Sequence, residues 1–142
     1  MAKPIKFEPI VTWPQNGPIT MIIGQNPGRQ RKDAQTFTAW EGNRSGDFIN
    51  ETTKDIPNLY LTNVCNYQEM TPERIAEGVS DLRTFFVEND VKKIVCLGLF
   101  AAQYVKKAGL PVDVIMHHPS FVLRFNKGAD KYAMQLRREL LA

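Results

Sequence analysis

Ile19-Thr20-Met21-Ile22-Ile23-Gly24-Gln25-Asn26-Pro27-Gly28 is an apolar run that breaks abruptly into a polar turn. Four of its first five residues are large and apolar, with isoleucines in series, which suits a strand covered on both faces. Gly24 admits backbone angles that other residues resist, and Pro27-Gly28 sets a turn that restricts the direction of Asn26. The stretch reads as a buried strand delivering a polar loop to a site. The alternative is an ordinary strand-ending turn.

Upstream, prolines at positions 4, 9, 14 and 18 forbid a regular helix. Residues 1–18 therefore read as an extended arm in which Phe7, Ile10, Val11 and Trp13 pack on the domain and cover the sheet or its edge. Downstream, Arg29 to Arg44 is a polar loop carrying Arg29, Arg31, Lys32 and Arg44 with Phe37 and Trp40 interleaved. Basic residues mixed with aromatics suit phosphates and bases, and equally a solvated loop pinned by two aromatics.

Residues 46–53 predict a short helix, and Leu59 to Val64 a second strand. Thr71 is a good N-cap and Pro72 a good first helical residue, and Ile75, Val79, Leu82, Phe85 and Phe86 follow at helical spacing. A helix to about Asn89 follows from that spacing. A third strand lies within Val91–Leu97, a helix over Leu99–Lys107 and a fourth strand over Val112–Met116. His117-His118-Pro119-Ser120 comes next, then an amphipathic helix from about Ala129 to Leu141.

Strands alternating with helices predict an α/β fold of one domain, residues 1–142. Its form is a three-layer α/β/α arrangement around a central, mostly parallel four-stranded sheet. Ligands of such sheets bind beyond the carboxyl ends of the strands. Gly24–Gly28, Asn63 and His117–Ser120 all fall at that rim.

A chain of 142 residues that is 43% hydrophobic and 23% charged can bury a core without disulfides or metals. No apolar run approaches the ~20 residues of a membrane span and no secretory signal is recognisable, so an intracellular, cytoplasmic location is expected. Cys65 and Cys96 lie in apolar contexts, far apart, without zinc-finger or iron–sulfur spacing, and read as buried thiols. A net charge of +3 permits a nucleic-acid partner without demanding one.

Taken together, Gly24-Gln25-Asn26-Pro27-Gly28, His118-Pro119-Ser120 and the strand ending at Asn63 resemble the uracil-DNA glycosylase superfamily. The run from Thr71-Pro72-Glu73 to Ala101-Ala102-Gln103 is similar to its thermostable iron–sulfur class. That class uses four cluster cysteines where this chain has two, so no cluster, metal or other cofactor is expected. Asn26 matches the mismatch-specific and single-strand-selective classes instead. The resemblance implies a monofunctional glycosylase, since no lysine lies in the matched motifs, acting as a monomer on DNA.

It also implies roles. Asn26 would aim a water at the sugar carbon, and His118 would donate a hydrogen bond to uracil O2 as negative charge develops there. Asn63 would read the N3–H and O4 edge, Phe37 would stack on the base, and Gly24, Gln25 and Gly28 would line the pocket. Gly28 replaces the tyrosine that blocks the thymine methyl in the most uracil-restricted members, so 5-substituted pyrimidines would enter. Phe121-Val122-Leu123-Arg124 resembles an intercalation loop, with Val122 or Leu123 as the wedge and Ser120, Arg124 and Lys127 on the DNA backbone.

Each residue has a plainer reading: a turn histidine, a capping asparagine, a core phenylalanine, a loop leading to the last helix. Ser120 lacks the Gly-X-Ser-X-Gly setting of a hydrolase nucleophile. His117 and His118 point apart on an extended backbone, which argues against metal ligation. A catalytically silent binder of DNA or a modified base, and an enzyme of free nucleotides, are the other two functions compatible with the chain.

Overall fold

In the computed structural model, which describes residues 3–124 and 128–142, strands and helices alternate along most of the chain. In order they are β1 (Ile10–Val11), β2 (Ile19–Gly24), α1 (Arg44–Thr53), β3 (Leu59–Asn63), α2 (Pro72–Glu88), β4 (Val91–Leu97), α3 (Leu99–Lys107), β5 (Val114–Met116), α4 (Pro119–Arg124) and α5 (Ala129–Leu141). The sheet order is β1-β3-β2-β4-β5. β2 is central and parallel to both β3 and β4, β5 is parallel to β4, and β1 alone runs antiparallel.

The sheet thus has five strands rather than the expected four. The extra one comes from the N-terminal arm, where Ile10 and Val11 pair with Leu61 and Tyr60. A strand of two residues is too short to show alternation. Pro9 just before it and Pro14 shortly after it suit a place at a sheet edge.

Alternation along β2 divides the core. Ile22 joins Trp40, Ile49, Leu61, Val95, Tyr132 and Leu136 on the face covered by α1 and α5. Met21 and Ile23 join Leu82, Ile94, Ala101 and Val105 on the face covered by α2 and α3. Three layers result, and every residue of β2 is buried, each large side chain contributing about 1.5–3 kcal/mol.

α2 begins where the sequence places it. The Thr71 side chain accepts from Arg74 N, and Pro72 opens the first turn. Midway, Gly78 lets the helix press on the sheet: a Cβ there would lie 1.7 Å from the Val64 carbonyl oxygen. Among the described residues, no helix is long and apolar enough to cross a membrane.

Candidate active site at the carboxyl edge of the sheet

β2 and β3 end together, Gly24 opposite Asn63. Their ladder runs on into the loops, Val64 N donating to Gly24 O at 2.8 Å and Cys65 N to Gln25 O at 2.9 Å. A second set of bonds fixes the polar loop. Asn26 Nδ2 donates to Gln68 O at 2.7 Å, and Gln68 Nε2 returns a bond to Gly28 O at 3.0 Å. A backbone carbonyl can only accept, so the Asn26 amide is oriented with its nitrogen on Gln68 and Oδ1 left as an acceptor.

His118 follows β5 at the same rim. Ser120 N donates to its Nδ1 at 3.1 Å, and Ser120 Oγ lies 2.8 Å from the same atom. A nitrogen that accepts from a backbone N–H carries no proton, so the neutral ring is protonated on Nε2. Burial pushes the His118 pKa below its ordinary value, which favours that neutral form. Its ring is tilted against Trp40, with centroids 5.8 Å apart.

Asn26 and His118 line one cleft of about 520 Å³, together with Gln25, Gly28, Arg29, Ala39, Trp40, Ser120 and the first turn of α1. That turn contributes Asn43, Arg44, Ser45 and Gly46, and Asn43 caps it by accepting from Gly46 N at 2.8 Å. None of these lining residues is acidic, and two are arginines. The cleft therefore favours an anionic ligand and offers no carboxylate base.

Trp40 is the aromatic of this cleft. It is 3% exposed, its Nε1 donates to Thr62 O at 3.2 Å, and a Cβ on Gly24 would come within 2.3 Å of its Cζ2. Only glycine at position 24 permits that approach. The arm holds the segment in place from the other side, Ala39 N donating to Glu8 O and Glu8 N to Phe37 O. Phe37 itself stands off the cleft, its ring edge-to-face with Phe7 at 5.5 Å.

Asn63 sits beneath the cleft rather than in its wall. It is 1% exposed, and its Nδ2 donates to Ala39 O at 3.3 Å. Gly28 is open on the surface, and the nearest atom to a Cβ built there is Asn43 Nδ2, at 3.1 Å. In α4, Leu123 is buried and Val122 packs on the core, while Arg124 and Phe121 are exposed. Lys127 lies outside the described residues. Among those described, no three His, Cys, Asp or Glu side chains converge as a metal site would require.

The family model described as "Uracil DNA glycosylase superfamily" matches residues 14–141. The chain belongs to that superfamily. No individual curated protein matches it significantly. Within this superfamily domain, Arg29, Ala39, Trp40, Asn43, Arg44, Ser45 and Gly46 are the cleft residues that the sequence motifs did not single out. Trp40 and Arg44 stood in the basic-aromatic loop, but nothing there distinguishes Trp40 from Phe37, three positions earlier. The cue for Asn43 was its capping position ahead of Gly46.

Proposed function

We propose that the chain is a monofunctional DNA glycosylase that flips uracil out of DNA and hydrolyses its N-glycosidic bond, leaving an abasic site. One observation carries the reading: an oriented Asn26 amide and a neutral, Nε2-protonated His118 share a cleft without carboxylates.

Water attacks C1′ of the flipped nucleotide while the C1′–N1 bond breaks, its electron pair passing to the base as the uracil anion, which takes up the proton that the attacking water gives up. Asn26 Oδ1 accepts a hydrogen bond from the water and aims it, a positioning role that needs no strong base. His118 Nε2–H donates to O2, where the negative charge of the leaving uracil collects. Trp40, in place of Phe37, is the ring against which the base lies. Arg29, Arg44 and Arg124 face the backbone, and Gly28 leaves the 5-position unblocked except by Asn43.

A second reading, a silent binder of DNA or a modified base, draws on one observation. Asn63 is covered, with one amide hydrogen committed to Ala39 O, so base reading requires the 37–40 segment to shift.

Incubation with single-stranded, U:A, U:G and T:G oligonucleotides, followed by alkaline cleavage of abasic sites, separates the two. Uracil release that disappears in Asn26→Ala and His118→Ala supports the glycosylase. Release unchanged in both variants sinks the proposed site, and salt-sensitive binding with no release at all favours the silent binder.

A further inference from the structure

A second cleft, of about 590 Å³, opens on the other side of His118, which lines both. It is lined by exposed Leu99, Ile115 and Phe121 and by buried Met116 and Tyr132, with Gln135 as its one side-chain amide. Three of the eight exposed large apolar side chains of the described residues converge here: Leu99 at 72%, Ile115 at 45% and Phe121 at 54%. Apolar side chains gathered at one exposed place mark a binding surface. Phe121 is stacked with His117, centroids 5.1 Å apart and planes within 20°, and the Tyr132 hydroxyl fixes His117 by donating to its carbonyl at 2.5 Å. Among the described residues no carboxylate lines this cleft either.

We propose that this groove receives the nucleobase next to the flipped uracil, making unpaired DNA the substrate class. The inference rests on the first cleft as the seat of the uracil nucleotide. Three features select a base over other occupants. The shared His118 makes the groove continuous with the nucleotide site. The stacked His117–Phe121 pair and the aliphatic walls offer flat apolar surface to any base regardless of identity, and the Gln135 amide can meet a polar edge. Among the described residues neither cleft is lined by a carboxylate, and Arg29 and Arg44 of the first offer the strand's phosphates cationic partners. A base in this groove has left its stack and its partner. A duplex would have to surrender two adjacent pairs, whereas a single strand surrenders none.

The test is fluorescence anisotropy with a labelled single strand carrying one 2′-fluoro-2′-deoxyuridine, which resists hydrolysis. The neighbouring nucleotide on either side is either intact or abasic. Loss of the base on one side is expected to weaken binding about tenfold. In Leu99→Asn and in Phe121→Ala that penalty should vanish, with the circular dichroism unchanged. Equal affinity for intact and abasic neighbours on both sides overturns the proposal in the wild-type protein, without recourse to the variants. So does a penalty that persists in both folded variants. Loss of self-association in Leu99→Asn, with no dependence on the neighbouring base, would assign the groove to a second copy of the chain. The unmodified uracil strand, assayed in parallel, separates the two readings. Release without dependence on the neighbouring base removes the groove and keeps the glycosylase, while neighbour-dependent binding without release does the reverse.

Discussion

Two groups of Ser120 converge on a single atom of His118: the backbone N–H at 3.1 Å and Oγ at 2.8 Å from Nδ1. Residues two apart thereby decide which ring nitrogen keeps the proton. The ¹⁵N shifts of His118 are expected to show a protonated Nε2 and an acceptor Nδ1 at neutral pH. His118→Ala should slow uracil release by roughly 10²–10³-fold, the usual effect of removing one donor to a developing anion. Ser120→Ala, which keeps the backbone donor, should cost far less.

The pH profile follows from burial of the same ring. His118 has its pKa lowered by desolvation, so the neutral form survives below the ordinary value of 6.5. The stability that this neutral ring contributes is present above pH 6.5 and is lost as pH falls through the lower, folded-state value. Release should stay level as pH drops past 6.5 and decline only beyond it. A decline centred at or above 6.5 would contradict the buried, neutral ring.

Asn26→Ala removes both the Oδ1 acceptor that the proposed mechanism aims at water and the tether to Gln68 O. Uracil release should fall on the order of 10²-fold, as expected when a reactant is no longer held in position. Affinity for a non-cleavable strand should hardly change. A drop in affinity matching the drop in rate would show that Asn26 serves binding instead.

Glycine is required at two positions for different neighbours. A Cβ on Gly24 meets Trp40 Cζ2 at 2.3 Å and Asn63 Oδ1 at 2.6 Å, whereas one on Gly78 meets the Val64 carbonyl oxygen at 1.7 Å. Side chains can yield more readily than the backbone that continues β3, held by Val64 N donating to Gly24 O. Urea unfolding should therefore show Gly24→Ala losing about 1–3 kcal/mol and Gly78→Ala at least about 3 kcal/mol. Equal losses would mean that Trp40 is as immovable as the sheet.

Both cysteines are buried. Burial raises the Cys65 pKa and pushes that of Cys96 up to about 12. A thiol reagent at pH 8 should find neither in the folded protein and both in urea. Prompt modification of Cys96 before unfolding would refute its burial between β4 and the helices α2 and α3.

Local chemistry was legible wherever it alone decides structure. Thr71-Pro72 fixed the start of α2, the largely apolar run Ile19–Ile23 marked a buried strand, and α3 and α5 run over the predicted residues. β1 escaped because pairing with Leu61 and Tyr60 is a tertiary fact. α4 escaped because Pro119-Ser120-Phe121 reads equally as a turn, while as a helix it turns Leu123 inward and leaves Phe121 outside. At the site, the loop and the histidine were visible as motifs. The placement of Trp40 rather than Phe37 in the cleft wall was not, since it depends on where the arm bonds Ala39 and on the space that Gly24 leaves open.

The central position of β2 also bears on how the chain is made. β2 is the first of the longer strands to be synthesised, yet one of its edges pairs with Leu59–Asn63 and the other with Val91–Leu97. During vectorial synthesis its wholly buried sequence must wait, first on one side and then on the other, until most of the chain has emerged. Such long-range parallel pairing forms slowly and leaves apolar surface uncovered meanwhile. The segment that leads into the Gly24–Gly28 loop is thus also the one whose apolar surface stays uncovered longest as the chain emerges.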